Sequence, residues 1–209
     1  MEIAREPFEV QDAARMYRRP ARLTGGCDMS NEELLRRHEA GGGRLAASNA
    51  AGAAAVPALR TVVLTCMDAR IDVSPLFGLE PGEVHVLRNA GGVVTDDVVR
   101  SVVISQRKLG TRDVLVVQHS GCGLASFTDE EFSEELALEV GMRPPWRTHA
   151  FADPAVNVRR GVARLRHDPF LLPETVVRGF VLDIESFALS EVTDDEPAVR
   201  GDDAVRESA

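Results

Sequence analysis

Cys66-Met67-Asp68-Ala69-Arg70 follows the apolar run Val62-Val63-Leu64, and His119-Ser120-Gly121-Cys122-Gly123 follows the run Val114-Leu115-Val116-Val117. Runs of this kind, β-branched and without polar alternation, fit strands buried on both faces, as in a parallel sheet. Each motif therefore stands where a strand ends and a loop begins. In open α/β sheets ligands bind at the carboxyl ends of strands. The placement of the two motifs agrees with that rule independently of their residue types.

Working outward, residues 61–65 form the first strand and residues 84–87 the second, after a Pro-Gly turn at 81–82. The second strand leads into Arg88-Asn89-Ala90-Gly91-Gly92, whose small residues permit close backbone approach. Thr95 caps the next helix, with Asp96 and Asp97 in its first turn and Val98, Val99, Val102 and Val103 as its apolar stripe; Gly110 ends it. A third strand at 113–118 delivers the second motif. Thr128 and Glu131 form a capping box for a helix with Phe132, Leu136 and Val140 on one side, ending at Gly141. Its acidic residues 129, 130, 131, 134, 135 and 139 read as a solvated face. Asp153 caps a further helix with Pro154 at its first position and Val158, Val162 and Leu165 inward. Residues 176–182 make a fourth strand, and 187–192 return as a short antiparallel edge strand. The fold class is α/β, a mainly parallel central sheet flanked by helices.

The ends of the chain read differently. Residues 1–29 lack periodicity and are expected to be a poorly ordered extension; five acids there balance five arginines. Met29 stands directly before a second capping box, Ser30 to Glu33, and is read as a translation start. Residues 30–56 are a helix bearing Leu34, Leu35 and His38, stopped at Gly41-Gly42-Gly43, followed by an Ala/Gly-rich stretch that composition leaves as short helix or linker. Residues 57–192 form the α/β domain. Residues 193–209 hold six acids against two arginines and read as a disordered tail.

Bulk properties exclude several classes. A net charge of −9 with no dense Lys/Arg cluster argues against a nucleic-acid binder. No apolar run approaches a membrane span, and the N-terminus lacks the apolar stretch of a secretory signal. Three cysteines at this length do not make a disulfide scaffold. Two lie in the motifs and Cys27 reads as incidental. A reducing, cytoplasmic setting would keep the motif thiols available to metal.

Two thiols, one imidazole and one carboxylate suit a tetrahedral Zn²⁺ site. Two thiolates and a neutral imidazole leave the ion without net charge, and Asp68 and water compete for the fourth position. If Asp68 binds, the site is closed. If Arg70 holds Asp68 away, water enters, and zinc lowers its pKa to about 7. Asp68, ionised and fixed by Arg70, would then accept a hydrogen bond from the hydroxide. His38, His85, His149 and His167 read as structural or surface residues.

The motifs, in this order and with Arg88-Asn89-Ala90-Gly91 and Val94-Thr95-Asp96-Asp97-Val98 between them, resemble the β-class carbonic anhydrases, in particular their compact bacterial branch. The resemblance spans roughly residues 57–192. It implies zinc ligation by Cys66, His119 and Cys122, one ion per subunit. It implies an Asp68–Arg70 dyad in which Asp68 also serves as fourth ligand of a closed state. It implies a lyase that reversibly hydrates carbon dioxide to bicarbonate and a proton through zinc-bound hydroxide. It further implies a homodimer or higher homo-oligomer, residues 30–40 crossing onto a partner subunit. Relatives on this scaffold hydrolyse carbonyl sulfide or carbon disulfide, a second reading; a non-catalytic zinc or bicarbonate-responsive module is a third. The chain departs from the family pattern at Met67 and Ala69, where Ser is common. It departs again at Glu185-Ser186-Phe187-Ala188-Leu189, which lacks the usual Thr-Gly turn.

Overall fold

A computed structural model describes residues 51–193 and the short stretches 35–36 and 38–42. Thr61–Cys66 (β1), Val84–Asn89 (β2), Asp113–His119 (β3), Val176–Leu182 (β4) and Leu189–Val192 (β5) form one sheet in the order β2-β1-β3-β4-β5. The first four strands are parallel and β5 runs antiparallel to β4. The expected fold class is observed, including the antiparallel edge. The expected extension at 1–29, the Ser30 capping box, Cys27 and the acidic tail beyond residue 193 lie outside the described residues.

Both faces of the sheet are covered, which explains the unbroken apolar runs. On one face Val62, Leu64, Val114, Val116 and Val177 meet Val98 and Val102 of Asp96–Leu109 (α2) and Val158, Val162 and Leu165 of Pro154–Arg166 (α4). On the other, Val63, Val117 and Leu182 meet Ile71, Phe151 and Val73, the last in a short helix, Val73–Phe77 (α1). The sequence reading had no helix there; Asp72 caps it, its side chain accepting from the Ser74 amide at 3.2 Å. The caps anticipated at Thr95, Thr128 and Asp153 all form.

Asp129–Val140 (α3) has no fully buried residue. Phe132 and Leu136 are half-buried, but Val140, expected on the same inner face, is exposed. Arg143 joins Glu130 (2.7 Å) and Glu134 (3.2 Å), and Arg147 joins Asp129 (3.0 Å), so the acidic face is partly paired. Near the N-terminus the chain makes a π-helical turn at His38–Gly42, and Leu35 is exposed. No helix among the described residues is long and apolar enough to cross a membrane.

The topology positions the site. The chain leaves β1 for β2 on one side through α1, then returns through α2 to place β3 on the other. The strand order reverses about β1, so a crevice opens between the carboxyl ends of β1 and β3. Cys66 is the last residue of β1 and His119 the last of β3.

Candidate metal centre

Cys66, His119 and Cys122 are all buried, and one ligand atom from each lies within 4.8 Å of the others. Cys122 reaches the group because the chain turns sharply after β3. Gly121 takes the left-handed conformation (φ 63°), which a side chain would oppose. The turn is tied to β4, the Ser120 amide donating to Leu182 O (2.9 Å) and the Ile184 amide to Ser120 Oγ (3.0 Å).

Several observations bear on whether these residues suit a zinc ion. His119 Nδ1 donates to Ser120 O at 2.8 Å, which leaves Nε2 as the acceptor nitrogen. That Nε2 is buried and has no hydrogen-bond partner. A hydrogen bond from Cys122 draws the Cys66 thiol down to about 4 against the opposing effect of burial, with His119 and the amides of Asp68 and Gly91 adding to the effect. The same bond and burial push Cys122 up. Burial lowers the His119 imidazole, but the neighbouring Cys66 sulfur more than offsets it, and the net shift is upward. Tetrahedral zinc holds S and N ligands at about 2.0–2.3 Å, so only a modest contraction of the trio is needed. The donor set and the orphaned nitrogen fit the ion.

Asp68 stands beside the trio but outside it. Its Oδ1 accepts from the Arg70 amide and from Arg70 Nε, each at 2.9 Å, and its Oδ2 accepts from Arg70 Nη2 at 2.6 Å. Arg70 holds the carboxyl at about 2, well below its ordinary value. Oδ2 lies 3.9 Å from His119 Nε2, so the ionised carboxylate borders the metal position while committed to Arg70.

The sequence reading missed the side chains behind the motif. Arg88 donates through Nε to Cys66 O (3.0 Å) and through Nη2 to Asp68 O (2.7 Å). Asn89 clasps Val93 with two hydrogen bonds, at 2.8 and 2.9 Å. Gln118 donates to Asn157 Oδ1 at 2.8 Å and to Gly92 O at 3.3 Å. The register that pairs Thr65 with Arg88 and Cys66 with Asn89 brings the second strand's end to the motif, and no local pattern encodes it.

The remaining histidines stay out of the trio. His85 bonds Ser105 Oγ (2.7 Å) and His167 bonds Ala163 O (2.7 Å). His149 lines an apolar cavity of ≈ 360 Å³ with Ala90, Val93, Leu124, Phe127 and Trp146, and His38 lies on the exposed N-terminal turn.

Residues 61–143 match the family described as carbonic anhydrase. β-Carbonic anhydrase 1 of Mycobacterium tuberculosis is 44% identical over 137 residues, which are 66% of this chain and 84% of the relative. A carbon disulfide hydrolase of Acidianus sp. is 31% identical over 155 residues, 62% of this chain and 76% of the relative. Among solved structures, the carbonic anhydrase from Streptococcus mutans superposes with a TM-score of 0.71 at 34% identity, over 77% of this chain and 97% of that one.

Proposed function

This chain belongs to the β-class carbonic anhydrase family, and from that membership we propose that it reversibly hydrates carbon dioxide to bicarbonate and a proton at a zinc ion held by Cys66, His119 and Cys122. The observation that carries the reading is the buried trio with its orphaned His119 Nε2, set at the carboxyl ends of β1 and β3. Zinc, when bound, supplies the Lewis acidity that makes hydroxide available near neutral pH.

Asp68 and Arg70 are proposed as the catalytic pair. Arg70 keeps Asp68 ionised and engaged, so that a zinc held by the trio would keep a position open to solvent. Oδ2 retains acceptor capacity beyond its bond to Arg70. It can take a hydrogen bond from the attacking water and so fix which lone pair faces the substrate carbon. A carboxylate held near 2 is a poor proton acceptor at neutral pH, so its part is orientation, and the proton leaves to solvent or buffer. If Arg70 released it, the same carboxylate would close the site as a fourth ligand.

Carbon disulfide hydrolysis is the alternative activity, since a relative so named shares 31% of its aligned residues with this chain. The greater likeness to a β-carbonic anhydrase favours carbon dioxide. A side-by-side assay of the zinc-loaded enzyme tests the choice. Carbon dioxide hydration should exceed sulfide release from carbon disulfide or carbonyl sulfide, and the reverse order would reassign the substrate.

We further propose a homodimer or higher homo-oligomer acting in the cytoplasm. Exposed Leu138, Met142 and Trp146 support the first, and two unpaired motif thiols support a reducing compartment. Sedimentation and cell fractionation test them.

A further inference from the structure

The Arg88-to-Gly92 stretch contributes no metal ligand, yet it is built against one. Gly92 is left-handed (φ 61°), and a Cβ there would lie 2.8 Å from both the Cys66 amide nitrogen and the Thr65 carbonyl carbon. The Gly91-Gly92 backbone is thus packed directly against the residue that carries the Cys66 thiol. Groups around a metal ligand fix its direction, so whatever holds these two backbone segments governs the ligand.

Two side chains hold them. Arg88 spans the carbonyls of Cys66 and Asp68 with one planar fork, which fixes the peptide planes on either side of the Met67–Asp68 peptide. Gln118 lies on the core side, 1% exposed, and ties Gly92 O to Asn157 of α4. Its Oε1 is buried without a partner, an expense that an apolar residue of the same shape would avoid. The Met67 amide, donating to Asn89 O at 2.8 Å, joins the two segments.

We propose that Arg88 and Gln118 are positioning residues for the metal centre: Arg88 fixes the Cys66-to-Asp68 backbone through its two carbonyls, and Gln118 fixes the Gly91-Gly92 segment packed against the Cys66 amide. The proposal rests on reading Cys66, His119 and Cys122 as the metal ligands.

The test uses the full chain loaded with zinc or cobalt(II). Arg88→Met and Gln118→Met should each release zinc to a chelator about 10–100-fold faster than wild type. They should also shift the thiolate-to-cobalt absorption band, while the metal-free proteins melt with the wild type. Arg88→Lys should recover little, because one ammonium cannot serve both carbonyls in the plane of a fork. Should an apolar variant fail to fold, Arg88→Lys carries the test through the same two readouts. Folded variants with wild-type zinc release and an unmoved cobalt band would overturn the proposal. Neither readout involves carbon dioxide, so a wild type that holds zinc and fails to hydrate refutes the proposed function and not this inference.

Discussion

At the scale of single residues the proposed mechanism separates binding from orientation. Cys66, His119 and Cys122 lie together in the core, whereas Asp68 is held off by a bidentate bond to a half-exposed Arg70. Asp68→Asn should therefore keep zinc but lose about 100-fold in hydration rate, the cost of a misplaced reacting group; metal analysis beside stopped-flow kinetics checks both halves. The Asp68 carboxyl also makes a prediction for the metal-free protein. Its folded value, about 2, lies below the ordinary 3.8, so its contribution to stability is complete above the unfolded value and disappears as pH falls through the folded one. The urea midpoint of the wild type should exceed that of Asp68→Asn by a constant margin above about pH 5. The margin should shrink between about pH 4 and pH 2. A margin that grows toward acid would contradict the pairing.

At the scale of elements, several glycines and, among the described residues, Arg60, His149 and Phe187 take positive φ, where the backbone is under constraint. Gly92→Ala would drive a Cβ into the backbone of β1 at a left-handed position. It should cost at least about 1 kcal/mol and loosen the metal, read by thermal melting and zinc release. Phe187 also sits at positive φ (59°), in the β4–β5 turn where Asp183 Oδ1 gathers the amides of Glu185 (3.1 Å) and Ser186 (2.8 Å). The family's glycine turn is absent here, and the phenylalanine bears a conformation that costs a residue with a side chain about 1–2 kcal/mol. Phe187→Gly should raise the melting temperature. Most helices and strands were legible because their signals are local: caps at Thr95, Thr128 and Asp153, glycine stops, and unbroken valine runs. Helix α1 was not, since five residues are too few to show a period and Asp72 gives a cap without a repeat. The inner face of α3 was misjudged at Val140 because periodicity says which residues align, not how far a neighbour extends along them. The metal trio was legible from its two strand ends. Arg88 and Gln118 were not, because their tasks depend on register between strands distant in sequence.

At the scale of the whole molecule, one topological fact underlies the rest. The reversal of strand order at β1 brings two motifs from different parts of the chain to one crevice, and helices on both faces keep it dry from below. That core carries the site's rigidity: Leu165→Ala, in a fully buried position of α4, should cost about 2–5 kcal/mol in urea unfolding. The central claim is zinc-dependent hydration of carbon dioxide at the Cys66–His119–Cys122 centre. Its most direct measurement is stopped-flow hydration at pH 8.5 on metal-stripped protein titrated with zinc. The rate should rise from the uncatalysed level and break at one zinc per chain; protein that binds its zinc through these residues and shows no rate above buffer would contradict the account.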